Sequence, residues 1–151
     1  MLERFELVVV LITLVVLVIL AVRHSGARRV AAVRRLPPDW GVLGVSPDGR
    51  RTVVAFSTPS CAACHVAQSP AIERARTELA GVNIRRIDVD TARQPGAARA
   101  FGILTVPSTV VIDAEGTRVI AVNQGFTPSA RLVAQLQLAW CRGERPGAGS
   151  S

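Results

Sequence analysis

The stretch that decides the fold is TVVAFSTPSCAACH, residues 52–65. Its first half is apolar and rich in β-branched residues, which predicts a buried strand over Thr52–Ser57. Its second half opens a segment that we predict to be helical from Cys61 to about Ala80. Two cysteines at C-x-x-C spacing, Cys61 and Cys64, therefore lie where a strand meets a helix. The N-terminus of a helix stabilises a thiolate, so this placement indicates a reactive dithiol.

The letters CAACH also match the attachment motif of a c-type haem, in which His65 would ligate the iron. A second axial ligand would have to be Met1 or His24, and both lie beside an apolar N-terminal run. A zinc site would need further thiolates, and only Cys141 could add one. We therefore expect neither a cofactor nor a metal, and keep a haem carrier as the lesser alternative.

The N-terminus contains an apolar run over residues 7–22, interrupted only by Thr13. As a helix it would be about 24 Å long, slightly less than the hydrocarbon core of a bilayer. A cleaved signal peptide should begin with a positive region, whereas Glu3 and Glu6 outweigh Arg4. We therefore predict an uncleaved, single-pass anchor in the cell membrane that contacts lipid through residues 7–22.

The charge of the chain predicts the orientation of this anchor. The net charge is +7, and all 18 basic residues are arginine. Five of them follow the apolar run: Arg23, Arg28, Arg29, Arg34 and Arg35. The positive-inside rule then predicts a cytoplasmic domain, with an extracytoplasmic one as the alternative. Nucleic acid is not expected as a partner, because stacking aromatics and a patterned basic face are missing.

Composition divides the chain into an anchor, a linker, one domain and a tail. The predicted bounds are 1–22 for the anchor, 23–39 for a basic Arg/Pro linker, 40–142 for the domain and 143–151 for a disordered tail.

Within the domain, periodicity and turn residues predict the element order βαβαββα. The early βαβ unit implies a parallel pair of strands, and the late hairpin adds antiparallel ones. The further predictions are a short strand at 42–45, a kink at Pro70, a strand at Val82–Val89, a helix at 94–101, hairpin strands at 108–113 and 118–122, and a last helix from its Thr127 cap to about Trp140.

Across about residues 50–140 the chain resembles thioredoxin. The resemblance rests on a series of short motifs in order along the sequence. They are VAF before CAAC, then IDVD at 87–90, QPG at 94–96, FGI at 101–103, TVPS at 105–108, DAEG at 113–116 and a lone Gly125. The resemblance implies a thioredoxin-like three-layer α/β/α sandwich with a mixed sheet.

The resemblance also implies roles for individual residues. Cys61 would be the attacking thiol and Cys64 the buried resolving thiol, and the two would form the redox-active disulfide. Pro107 would be a cis proline facing the dithiol. Val106 would offer its backbone N–H and C=O to an extended substrate, with Thr105 beside it in the substrate-binding segment.

Three departures from the thioredoxin pattern bear on activity. Ala55 stands where thioredoxins usually hold a buried Asp that helps to move a proton from the resolving thiol. Ser60 replaces the usual Trp before the first Cys, and Ala62-Ala63 replaces Gly-Pro. His65 fits a solvent-facing position better than a role in tuning the thiolate, and both interpretations stay open.

The sequence therefore predicts a membrane-anchored thioredoxin-like thiol–disulfide oxidoreductase. Its expected partners are protein disulfides and a dithiol electron donor. A tethered adaptor that binds a partner without turnover is the alternative. Cys141, at the end of the last helix, is expected to be a packing residue.

Overall fold

The computed structural model describes residues 10–21 and 36–138. The chain divides into two compact units, residues 1–32 and residues 33–151, which are described separately. The last turn of the predicted C-terminal helix, Cys141 and the tail lie outside the described residues.

In the first unit, residues 10–21 form a helix, α1, whose apolar side chains are exposed. Among the described residues, none of the helices has both the length and the apolar character needed to cross a bilayer. The other residues of the predicted span, 7–9 and 22, lie outside the described part of the chain, as do linker residues 23–35.

The second unit is built on one four-stranded mixed sheet. Its central strand β1 pairs parallel with β2 and antiparallel with β3, and β3 pairs antiparallel with β4. The strand order is therefore β2-β1-β3-β4, and the predicted mixed sheet is confirmed. The strands are β1 (Arg51–Ser57), β2 (Ile84–Asp90), β3 (Ser108–Ile112) and β4 (Val119–Gln124).

Three helices connect and flank these strands, and the predicted order βαβαββα is confirmed. After β1 the chain forms a π-helical segment, Cys64–Gln68, that continues directly into α2, Ser69–Glu78. A short helix α3, Pro95–Ala100, precedes β3, and α4, Ser129–Leu138, follows β4.

The two faces of the sheet bury two separate hydrophobic clusters, which makes the unit three-layered. Alternate residues of β1 point to opposite faces, as strand geometry requires. Val54 and Phe56 pack with Ala97 and Phe101 of the α3 region on one side. The Phe56 and Phe101 rings lie 5.9 Å apart, in a tilted arrangement.

The opposite face is covered by α2 and α4. Val53 and Ala55 of β1 pack there with Ile72 of α2 and with Leu132 and Leu136 of α4. Helices therefore cover both faces of the sheet, and the predicted α/β/α sandwich is confirmed.

The predicted strand at residues 42–45 is wrong. Residues Gly41–Leu43 form a 3₁₀-helix, and Gly44 follows in a left-handed conformation with φ of 66°. The cause lies just upstream, because one carboxylate oxygen of Asp39 accepts hydrogen bonds from the N–H groups of Gly41 and Val42. A local side-chain partner for two backbone donors outcompetes a strand ladder.

The predicted cap of the last helix is also wrong. The Thr127 hydroxyl contacts the carbonyl of Gly125, 3.5 Å away, and α4 begins two residues later at Ser129. The backbone N–H and C=O of Thr127 are bound instead by a side chain from another helix, which holds the residue in the interior.

Pro70 lies in the first turn of α2, directly after the π-helical segment. Just before it, the N–H of Ser69 donates to the carbonyl of Cys64, five residues back. The proline, which has no N–H to donate, therefore falls where the hydrogen bonding changes from the π to the α pattern. Prolines and π turns both accompany bends in helices, and the kink at Pro70 stays a prediction.

The turn between β3 and β4 is fastened to the start of the domain. Asp113, which is buried, accepts hydrogen bonds from the N–H groups of Thr117 and Arg118. The indole N–H of Trp40 donates to the carbonyl of Gly116 over 2.8 Å. Gly116 has φ of 70°, and a Cβ built on it would lie 2.5 Å from the Cβ of Pro47.

Replacing Gly116 by alanine should destabilise the domain by about 2 kcal/mol or more, through the positive φ and the clash with Pro47. Gly81→Ala is the matched control, because nothing lies within 4 Å of its Cβ and its φ is not positive. Denaturant unfolding of the two variants measures the difference. Equal stability of both variants would contradict this interpretation of the turn.

Candidate active site

The two cysteines of the C-x-x-C motif form a disulfide bond at the N-terminal end of the helix. The S–S distance is 2.07 Å and the Cα atoms of Cys61 and Cys64 are 5.3 Å apart. Cys64 is buried, with 6% of its surface exposed, whereas Cys61 is partly exposed. The pair thus has an outer sulfur that a partner can reach and an inner sulfur that it cannot.

Backbone hydrogen bonds fix the loop that carries the outer cysteine. The N–H of Cys61 donates to the carbonyl of Thr58, and the N–H of Cys64 donates to the carbonyl of Cys61. The same Cys64 N–H also points at Cys61 Sγ, 3.2 Å away. A donor aimed at this sulfur favours its thiolate once the disulfide is reduced.

Strand register brings the other predicted site residues to the same edge of the sheet. Phe56 pairs with Val89 on one side and with Ser108 on the other, and Ser108 pairs with Gln124. The C-terminal ends of β1 and β4 and the start of β3 therefore lie at one edge. The segment 105–107 comes directly before β3, at the edge where β1 leaves for Cys61.

The Val106–Pro107 peptide bond is cis, which confirms the prediction for this bond. Pro107 is buried, Val106 is partly exposed and Thr105 is exposed. The Thr105 carbonyl accepts a hydrogen bond from the Ser108 hydroxyl over 2.6 Å, which holds the bend. The part of these residues in substrate binding stays a prediction.

A partly enclosed cavity of about 270 Å³ lies behind the inner cysteine. Its wall includes Cys64, Gln68 and Ala55, and it is bordered by Arg86 and Asp88 of β2. Ala55 is buried and pairs with Asp88 across the sheet, so its methyl group lies where an acid was expected from the resemblance. The departure thus leaves open space beside the inner sulfur.

The charges bordering this cavity form one ion-pair network centred on Arg86. Its guanidinium donates to Asp88, to Glu73 and to the hydroxyl of Ser69. Partial burial acts to lower the pKa of Arg86, but the hydrogen bonds to Asp88 and Glu73 outweigh it and raise that pKa. The guanidinium is therefore a permanent positive charge beside the cavity.

A sequence profile described as a thioredoxin-like domain matches residues 44–140. The chain belongs to the thioredoxin-like family. The matched range contains the disulfide, the cis proline and every strand of the sheet. Comparison with curated protein sequences finds no match.

Solved structures show the same fold at low sequence identity. A malarial protein is 21% identical over 60% of this chain and 98% of its own, with a TM-score of 0.51. Thioredoxin-2, from the protein secretion machinery of the malaria parasite, is 22% identical over 59% and 82%, also at 0.51. Chloroplastic thioredoxin z is 17% identical over 62% and 80%, at 0.50.

A thioredoxin-like fold with a cysteine pair at disulfide distance supports a thiol–disulfide oxidoreductase in general terms. The haem alternative would need both sulfurs for thioether bonds, and it stays a prediction. His65 is exposed within the π-helical segment, as the solvent-facing interpretation expects, and its tuning role stays a prediction.

Sequence reasoning missed two glutamines that connect the loops around the disulfide. Gln68 is 3% exposed and binds the backbone of Thr127. Gln124 binds the backbone of Gly102 and Leu104. The signal for Gln68 was present, since it lies four residues after Cys64 on the buried stripe of the helix, where an apolar side chain is the norm.

We predict that the reduced Cys61 thiol has a pKa below the value of about 8.5 for a free cysteine. The reasons are the helix N-terminus and the Cys64 N–H aimed at its sulfur. The rate of alkylation against pH, measured in a Cys141→Ser background, gives this pKa. Cys61→Ser in the same background should react slowly, because Cys64 is buried. A midpoint at or above the free-cysteine value would refute the activation of Cys61.

Proposed function

We propose that this protein is a membrane-anchored oxidoreductase that reduces disulfide bonds in other proteins. The observation that carries the proposal is the partly exposed Cys61 bonded to a buried Cys64, at the sheet edge that also holds the cis Val106–Pro107 bond. Only one sulfur is then accessible for attack, and we assign the neighbouring backbone of Val106 to pairing with an extended substrate chain.

The reaction runs in two exchange steps. The thiolate of Cys61 attacks one sulfur of the substrate disulfide, forms a mixed disulfide, and releases the other substrate sulfur as a thiolate that takes up a proton. The thiolate of Cys64, after giving up its proton, then attacks Cys61 Sγ and releases the second substrate thiol. Two electrons pass from the protein to the substrate, and a dithiol donor restores the Cys61–Cys64 pair.

The cavity behind Cys64 bears on the second step. Cys64 must lose a proton before it can attack, and Ala55 provides no group to accept one. The cavity is large enough for water and is bordered by Arg86 and Asp88. We propose that solvent in this cavity accepts the proton of Cys64.

The full chain should reduce insulin disulfides with a dithiol donor, and Cys61→Ser should abolish this turnover because the attacking thiol is gone. Insulin precipitation measured as turbidity follows the reaction. Cys141→Ser is the matched control and should keep its activity, since the proposed chemistry uses only Cys61 and Cys64. Full turnover by Cys61→Ser would exclude it as the nucleophile.

Removal of the resolving thiol should give a different defect. Cys64→Ser leaves Cys61 able to attack but unable to release the substrate, so a mixed disulfide should accumulate. Non-reducing electrophoresis and peptide mass mapping locate the bond. A tethered adaptor without turnover would trap no substrate in this variant.

We further propose that residues 7–22 anchor the protein in the cell membrane with the second unit in the cytoplasm. The support is the apolar run, which includes the exposed apolar side chains of α1, and the five arginines that follow it. Moving these arginines across the bilayer would oppose both the membrane potential and the anionic inner leaflet.

An alkaline phosphatase fused at Ser151 should therefore be inactive, and a fluorescent protein fused there should be bright. Replacing Arg28, Arg29, Arg34 and Arg35 by neutral residues should weaken or invert this orientation, as the positive-inside rule requires. An active phosphatase on the unaltered chain would place the domain outside and would overturn this assignment.

A further inference from the structure

We propose that Gln68 is a positioning residue that holds the loop at 125–127 against the dithiol helix and so sets the surface on which a protein substrate docks. The inference rests on the proposed function and deepens it. It predicts that these contacts of Gln68 affect the reduction of protein disulfides and not the reduction of small ones.

The contact is a two-point clamp between a side chain and a distant backbone. The amide nitrogen of Gln68 donates to the carbonyl of Thr127 over 3.1 Å, and its amide oxygen accepts from the Thr127 N–H over 2.8 Å. Gln68 is 3% exposed and Thr127 is 2% exposed. Both hydrogen bonds are thus shielded from water, and removing the amide leaves two buried backbone groups without these partners.

The position of Gln68 connects this clamp to the redox centre. Gln68 is the last residue of the π-helical segment that begins at Cys64. The next residue, Ser69, donates its N–H to the Cys64 carbonyl, and both Cys64 and Gln68 line the cavity behind the disulfide. The loop at 125–127 is therefore fastened to the same turn of helix that carries the inner cysteine.

A second glutamine extends the connection to the loop before the cis proline. Gln124 is the last residue of β4, one position before Gly125. Its amide nitrogen donates to the Gly102 carbonyl, and its amide oxygen accepts from the Leu104 N–H. The amide oxygen also lies 3.3 Å from the Ser108 hydroxyl. Gln68 thus ties the dithiol helix to the loop at 125–127, and Gln124, which directly precedes that loop, ties it to the loop before the cis proline.

The dithiol helix and these two loops carry exposed apolar side chains. Val66 is 76% exposed, Leu104 is 61% exposed and Phe126 is 53% exposed. The sequence of the three segments, 58–69, 101–108 and 124–129, contains no Asp, Glu, Lys or Arg. We call these segments the uncharged rim. Its composition suits an extended, apolar stretch of a substrate protein on either side of the disulfide.

The clamp should therefore act on docking and not on the exchange chemistry. A protein substrate contacts the rim on several loops at once, so its binding depends on their relative position. A small disulfide needs Cys61 and Cys64 but no contact with the rest of the rim, and the loop that carries Cys61 is held by the Thr58 carbonyl. Loosening the loop at 125–127 should raise the KM for the protein and leave the small molecule's rate unchanged.

The test compares Gln68→Met with Gln135→Met in the full chain. Gln135 is a matched control because its amide also makes two hydrogen bonds, both 2.9 Å, to the side chain of Asn123 and not to a rim loop. In Gln68→Met we expect the KM for insulin reduction to rise about fivefold or more, with kcat and the rate with a small aromatic disulfide within about twofold of wild type. Gln135→Met should change none of these.

Two kinetic results would overturn the proposal. One is an equal rise in KM for Gln135→Met, which would make the effect one of general stability. The other is a parallel loss of the small-disulfide rate, which would place Gln68 in the chemistry.

Amide hydrogen exchange tests the clamp independently of turnover. The Thr127 amide should exchange faster in Gln68→Met than in Gln135→Met, and unchanged exchange would overturn the proposal. Should the wild type reduce neither disulfide, the proposed function fails, while this measurement still decides the clamp.

Discussion

The burial of β1 on both of its faces is the constraint on which the rest of the domain depends. Residues 51–56 are all buried, and the strand pairs with β2 on one side and with β3 on the other. Val54 and Phe56 anchor one hydrophobic cluster, and Val53 and Ala55 anchor the other. A strand fixed in this way leaves the sheet at one defined place, and Cys61 follows a few residues later. The position of the disulfide is thus a consequence of how the centre of the sheet is packed.

The parts of the fold that follow from periodicity could be predicted from the sequence. The apolar run before Cys61 predicted β1, the turn at 114–117 predicted the hairpin, and the resemblance to thioredoxin predicted the cis bond at Pro107. These predictions succeed because burial and turn chemistry are local properties of the chain. The cysteine pair could be predicted for the same reason, since one short stretch of sequence contains both the C-x-x-C spacing and the change from strand to helix.

The predictions that failed concern hydrogen bonds whose partners are not visible in a local pattern. Residues 42–45 have the composition of a strand, yet the Asp39 carboxylate accepts hydrogen bonds from the N–H groups of Gly41 and Val42. Threonine is a common helix-capping residue, yet the backbone of Thr127 is bound by Gln68, which is distant in sequence. In both cases a specific polar contact overrides a local preference worth about 1 kcal/mol.

The hydrogen bond from Trp40 to Gly116 determines where a label or a support can be attached without covering the disulfide. The turn that contains Gly116 joins β3 and β4 at the ends remote from Ser108 and Gln124, which flank the disulfide. The polypeptide therefore enters the domain about one strand length, roughly 17 Å, from the reactive sulfurs. A bulky label, a resin or a carrier protein joined just upstream of Trp40 would be attached at the far end of the sheet. Cys61 would then stay accessible to large substrates even when the chain is immobilised just upstream of Trp40.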